Sequence, residues 1–95
     1  MTAETGSVVR AKAGADAGKL FFVLRTDERR LYLADGKRRT VQKPKQKNRS
    51  HVETLLLQTD TPAAAKLRSG EAVLNSELRR ELAAIRSKNS QNQGG

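Results

Sequence analysis

Apolar residues come in short bursts over the first sixty positions and at helical spacing only afterwards. From Gly6 to Lys12 the pattern predicts a strand with Val9 and Ala11 on one face and Val8, Arg10 and Lys12 on the other. Lys19 to Thr26 is apolar at consecutive positions, as expected of a strand buried on both faces. Asp27-Glu28-Arg29-Arg30 reads as a charged turn leading into a third strand, Leu31 to Ala34. The Asp35-Gly36 pair then predicts a tight type I′ hairpin. The fourth strand falls around Arg38 to Gln42, near an edge, with Val41 as its core candidate. Pro44 cannot donate to a sheet ladder, so the chain after it is expected as an extended loop before a closing strand from His51 to Leu57. Five short strands predict a mainly β protein, a small five-stranded barrel over residues 6–58. Thr61-Pro62 opens a short helix over Ala63 to Leu67 that stops at Gly70. Leu74, Leu78, Leu82 and Ile85 mark a second helix capped by Asn75 or Ser76 and running to about Ser87. Residues 59–88 therefore form a C-terminal helical extension, with Met1 to Thr5 and the polar tail 89–95 expected to be disordered.

Composition narrows the function. A chain of 95 residues with 36% hydrophobic content and three aromatics, Phe21, Phe22 and Tyr32, has room for one small aliphatic core. The formal net charge of +9 points to a polyanionic partner, with nucleic acid foremost. No cysteine is present, which excludes disulfides, thiolate metal sites and a cysteine nucleophile. No run approaches the roughly 20 apolar residues of a membrane span. The expected setting is the cytoplasm, without a membrane or a cofactor.

The turn Ala13-Gly14-Ala15-Asp16-Ala17-Gly18-Lys19 lies between the first two predicted strands. Two glycines four positions apart suit a sharp reversal and let a partner approach the backbone closely. Gly6, Val8, Val9, Lys12, Gly14, Asp16, Gly18, Lys19, Phe22 and Val23 together resemble the KOW motif of ribosomal proteins and of some transcription elongation factors. The likeness extends through Asp35-Gly36-Lys37-Arg38 and from Lys43 to His51, and covers roughly the first sixty residues. There the chain resembles small stand-alone KOW proteins akin to large-subunit ribosomal proteins of the archaeal and eukaryotic type. The resemblance implies an SH3-like barrel that binds RNA. His51 would then continue the basic loop with a backbone or phosphate contact, where the residues alone suggest a strand-end histidine bonded to backbone or solvent. The Asp16 carboxylate is expected to accept backbone hydrogen bonds inside the turn.

Charge patterning supplies the remaining candidates. Lys37, Arg38, Arg39, Lys43, Lys45, Lys47 and Arg49 fall in one span with no acidic residue. Such cations bind phosphate with salt-sensitive, largely sequence-independent affinity, positioning a protein without reading bases. The aromatics read as core rather than as a stacking platform, so structured, ribosomal-RNA-like elements are the expected ligand. The expected contact surface comprises Lys12, Gly14, Asp16, Gly18, Lys19 and the basic run through Arg49 to His51. Enzymatic readings fail on specifics. Gly14-x-x-x-Gly18-Lys19-Leu20 is one residue short of a P-loop and lacks its Ser or Thr. His51-Val52-Glu53 has no cysteines to complete a deaminase zinc site. The alternative is an SH3-like protein-interaction adaptor of the translation or transcription machinery; a DNA-binding role lacks a recognition helix. The amphipathic second helix either covers its own barrel or docks on a ribosomal or other protein partner.

Overall fold

A computed structural model describes residues 3–56 and 60–94, with side chains described as far as residue 88. Five antiparallel strands, β1 (Val8–Ala11), β2 (Leu20–Thr26), β3 (Arg30–Ala34), β4 (Lys45–Asn48) and β5 (Val52–Leu56), form one sheet in the order β4-β3-β2-β1-β5. A 3-10 turn, Arg49–His51, joins β4 to β5. Two helices follow, α1 (Pro62–Arg68) and α2 (Asn75–Gly94).

The consecutive apolar residues of β2 alternate across the sheet, and both faces are buried. On one face Phe21 and Val23 pack with Val9, Ala11, Leu31, Leu33 and Val52, joined by Ala3 from the N-terminal segment. On the other, Leu20 and Phe22 pack with Val8 and Ala34 against Ala63, Ala64, Val73, Leu78 and Leu82. Bulges at Leu55 in β5, opposite Val8 and Val9, and at Leu24 in β2 bend the strands. The apolar stripe of α2 thus covers its own sheet: Leu78 is 0% and Leu82 2% exposed. At about 1.5–3 kcal/mol per fully buried large aliphatic side chain, the helices are part of the core rather than an appendage.

Several expectations are corrected. The fourth strand is Lys45–Asn48, not Arg38 to Gln42, so the second half of the basic run is strand rather than extended loop. The sequence Lys45-Gln46-Lys47-Asn48 has no apolar residue to reveal it. Lys45 and Lys47 stand opposite Leu33 and Leu31 and are half-buried, as lysines that lay aliphatic stems along apolar neighbours are. Asp35-Gly36 is not a type I′ hairpin, because Gly36 has φ 80° while no non-glycine among the described residues has positive φ. It opens a longer loop, residues 35–44, in which Asp35 Oδ1 accepts from the Lys37 and Arg39 N–H groups. Val41 is half-buried in that loop beside the helices, its N–H donating to Asn75 Oδ1.

The closing strand starts at Val52, with His51 ending the 3-10 turn; its expected end at Leu57 and the boundary at 58 lie outside the described residues. Within the N-terminal segment Ala3 is buried, and Glu4 and Ser7 bond to one another. Met1, Thr2 and Gly95 lie outside the described residues. Helix α2 continues past Ser87 through Gly94, since Ser90 to Gln93 contain neither Pro nor Gly to stop it.

The helix ends are capped by side chains. Thr61 caps α1, with Pro62 in the first turn, as expected, and Glu81 Oε2 accepts from the Ala63 N–H. For α2 neither Asn75 nor Ser76 is the cap. Glu77 Oε1 instead accepts from the Leu74 N–H, while Leu74 O accepts from the Leu78 N–H, which places the cap at Leu74. Glu77 also takes the Lys66 ammonium at 2.9 Å, tying the two helices. The Lys66 hydrogen bond, followed by that of Leu74, holds the Glu77 carboxyl below its ordinary value of 4.5.

Two predictions follow from this packing. A chain ending at residue 60 uncovers Phe22, Val8 and Leu20, and is expected to lose its cooperative thermal transition by circular dichroism. A sharp melt in that truncated chain would instead make the helices dispensable. Because the folded carboxyl of Glu77 titrates below the unfolded one, its contribution is complete above about pH 4.5 and lost as pH falls through the folded value. The melting-temperature gap between the parent and Glu77→Gln is therefore expected to be constant from neutrality to about pH 5 and to narrow progressively as pH falls below about 4.5.

Candidate nucleic-acid interface

Leu20 opens β2, Ala34 closes β3 and Lys45 opens β4, and the register places Phe22 beside Ala34 and Leu33 beside Lys45. The loops 12–19 and 35–44 therefore leave the sheet at the same end. The first loop is closed by the Ala11 N–H to Lys19 O and the Gly18 N–H to Ala11 O, at 3.0 and 2.8 Å. Gly14 and Gly18 have φ of 84° and 87°, a region costly for any residue with a Cβ. Both are exposed, so loop backbone faces outward.

Two side chains from the later basic stretch hold this loop. Lys47 Nζ donates to Ala13 O at 2.8 Å, bringing the β4 edge onto the glycine turn. Arg39 Nη2 meets Asp16 Oδ2 at 3.2 Å, and Lys19 Nζ lies 4.0 Å from Asp16 Oδ1. Asp16 is 5% exposed. Its carboxylate accepts from the Arg39 guanidinium rather than from backbone within the turn, correcting the expectation. A buried carboxylate needs such a partner, and removing the partner leaves an expensive orphan.

The expected surface residues divide by what they already do. Among the described residues, the side chains of Lys12, Lys37, Arg38, Lys43 and Lys45 have no partner, and all but half-buried Lys45 are exposed. Arg39 and Lys47 position the loop. Arg49 is structural: it donates to the Ala3, Asp27 and Glu28 carbonyls at 2.9, 3.0 and 3.3 Å, lashing the 3-10 turn to the β2–β3 turn and the N-terminal segment. His51 is exposed, and its carbonyl accepts from the Lys12 N–H at 2.8 Å. With Arg30, Lys45, Gln46, Lys47 and Asn48 it lines an open groove of about 390 Å³ that contains no acid.

Lys37 and Arg38 sit in the half of the 35–44 loop that leans on α2. A Cβ on Gly36 would collide with the Asn75 carbonyl, and Arg79 Nη1 donates to Gly36 O at 2.6 Å. The basic run is thus bent around the Arg39–Asp16 pair rather than laid out as one ribbon. Arg30 was absent from the sequence-based set; its pairing with Asn48 follows only once Lys45–Asn48 is known to be a strand. Of the aromatics, Phe21 and Phe22 are buried, and Tyr32 lies under Arg25, whose guanidinium carbon is 4.3 Å from the ring centroid. Tyr32 is half-buried and has one face of its ring taken by Arg25.

No protein-family model matches the chain, and no curated protein is significantly similar to it. No helix among the described residues is long and apolar enough to cross a membrane.

The loop geometry predicts a separation between positioning and surface residues. Arg39→Ala is expected to destabilise the fold by about 1–3 kcal/mol in urea unfolding, by leaving Asp16 buried with only a distant lysine. Gly14→Ala and Gly18→Ala are each expected to cost roughly 1 kcal/mol or more through their φ. Gly14→Ala should cost the more, because its Cβ would also press Lys47 Nζ at 3.3 Å. Lys12→Ala should leave stability within about 0.5 kcal/mol.

Proposed function

We propose that this chain is a non-enzymatic RNA-binding protein that grips phosphate backbone with the surface where the edge strand β4 meets the glycine loop. The observation that carries the reading is the clamp of Lys47 on Ala13 O. It fuses the glycine loop and the basic strand into one positive surface whose nearest carboxylate, Asp16, is already neutralised by Arg39. Exposed loop backbone beside unpartnered Lys12 and Lys45 favours close approach of a polyanion, and the burial of Phe21 and Phe22 favours contact with backbone shape over base stacking.

The residue-by-residue likeness to the KOW motif agrees with this surface. It brings with it an SH3-like barrel and an association with ribosomal or similarly structured RNA, in the cytoplasm. A four-strand meander whose fifth strand returns beside the first supports the barrel part of that reading. The adaptor alternative loses its most natural docking face, because the α2 stripe is occupied by the chain's own sheet.

Binding to an RNA hairpin is expected to weaken steeply with salt, with a linear log–log dependence. Combining Lys12→Ala, Lys19→Ala and Lys45→Gln, which keeps most of the packed stem, should lower that slope by about three, with a nearly unchanged melting temperature. A flat salt dependence of the parent, or unchanged affinity in the folded triple variant, would overturn the proposal.

A further inference from the structure

Helix α2 separates its charges by flank. Glu77 and Glu81, one turn apart, both turn towards α1, where Lys66 and the Ala63 N–H take them. Arg79 and Arg86, seven residues apart and so on one flank, lie across the Leu78 and Leu82 stripe from those acids. With Asp35, Lys37 and Leu82 they line an open cleft of about 240 Å³ between α2 and the 35–44 loop.

The single acid of this cleft is engaged, since Asp35 Oδ1 accepts two backbone N–H groups. Arg79 is held by one N–H on the Gly36 carbonyl, which leaves its other donors in a fixed fork. A guanidinium already held loses less freedom when it takes an anion. The side chains of Lys37 and Arg86 have no partner among the described residues. Between this cleft and the glycine loop stands the Arg39–Asp16 pair, which contributes no net charge, so two positive regions are separated by a neutral seam.

We infer that Lys37, Arg79 and Arg86 form a second phosphodiester-binding arm, so that the protein holds two separate stretches of backbone in one folded RNA. The inference rests on the RNA-binding reading and adds to it the class of ligand: an RNA whose fold brings two backbone segments together, not a short single strand.

The test compares the parent, a Lys37→Ala/Arg86→Ala variant and a Lys12→Ala/Lys45→Ala variant. Each is titrated across rising potassium chloride with an RNA hairpin of about 20 base pairs and with a single strand of about eight nucleotides. The cleft variant is expected to keep its melting temperature, to lose on the order of tenfold in hairpin affinity and to lower the hairpin salt slope by about two. Its single-strand affinity should match the parent's, and Lys37→Arg/Arg86→Lys should restore the hairpin slope. Hairpin binding unchanged in the cleft variant, while Lys12→Ala/Lys45→Ala weakens it, would overturn the second arm and leave the RNA-binding reading standing. The cleft would then suit an acidic protein surface instead. An equal loss on the single strand would also overturn the second arm, reducing it to general charge. A parent that binds neither probe would overturn both.

Discussion

Everything in this small fold follows from β2 being apolar on both faces. A strand with Phe21 and Val23 on one side and Leu20 and Phe22 on the other cannot leave either side to water. The strands bury the first face among themselves. The second requires α1 and α2, which is why an otherwise ordinary amphipathic helix is tied down through Leu78, Leu82, Glu77 and Glu81. Once both faces are covered, only the ends and edges of the sheet remain for function. The end that carries the glycine loop is also the end where the basic loop emerges.

Charge is distributed by the same economy of positions. Of the acids on that side of the molecule, Asp16 is paired with Arg39 and Glu77 with Lys66, while Asp35 accepts backbone N–H groups. Cations are the remainder. A surplus of +9 would otherwise repel itself across a chain of 95 residues, and a polyanion that releases counterions on binding relieves that repulsion. The structural arginines show that a basic residue in a basic run need not be a contact residue: Arg49 holds three carbonyls and Arg39 one buried carboxylate.

Much of the architecture was legible in the sequence, for reasons that also explain the failures. β1, β2, β3 and the start of α1 announce themselves through apolar runs, a glycine turn and Thr61-Pro62. β4 does not, because Lys45 and Lys47 serve an edge by laying aliphatic stems beside Leu33 and Leu31 while counting as polar in any hydrophobic pattern. Misplacing that strand displaced the hairpin at Asp35-Gly36 and hid Arg30 from the candidate surface. The α2 cap was missed because Glu77 caps from within the helix through the Leu74 N–H, while the obvious cap residue, Asn75, is spent on Val41 and Gln42. The division of cations into Arg39, Lys47 and Arg49, which position the fold, and Lys12, Lys37 and Lys45, which stay free, is a matter of tertiary geometry with no sequence signature.

The central claim is that the surface where β4 meets the glycine loop, and not charge at large, meets RNA. The most direct measurement is a backbone amide NMR titration with an RNA hairpin, read residue by residue. Shifts concentrated at Lys12 to Lys19 and Lys45 to Lys47, with Ala63 to Arg68 of α1 unaffected, are the result expected here. Shifts spread evenly over all exposed lysines and arginines, or centred on α1, would contradict it.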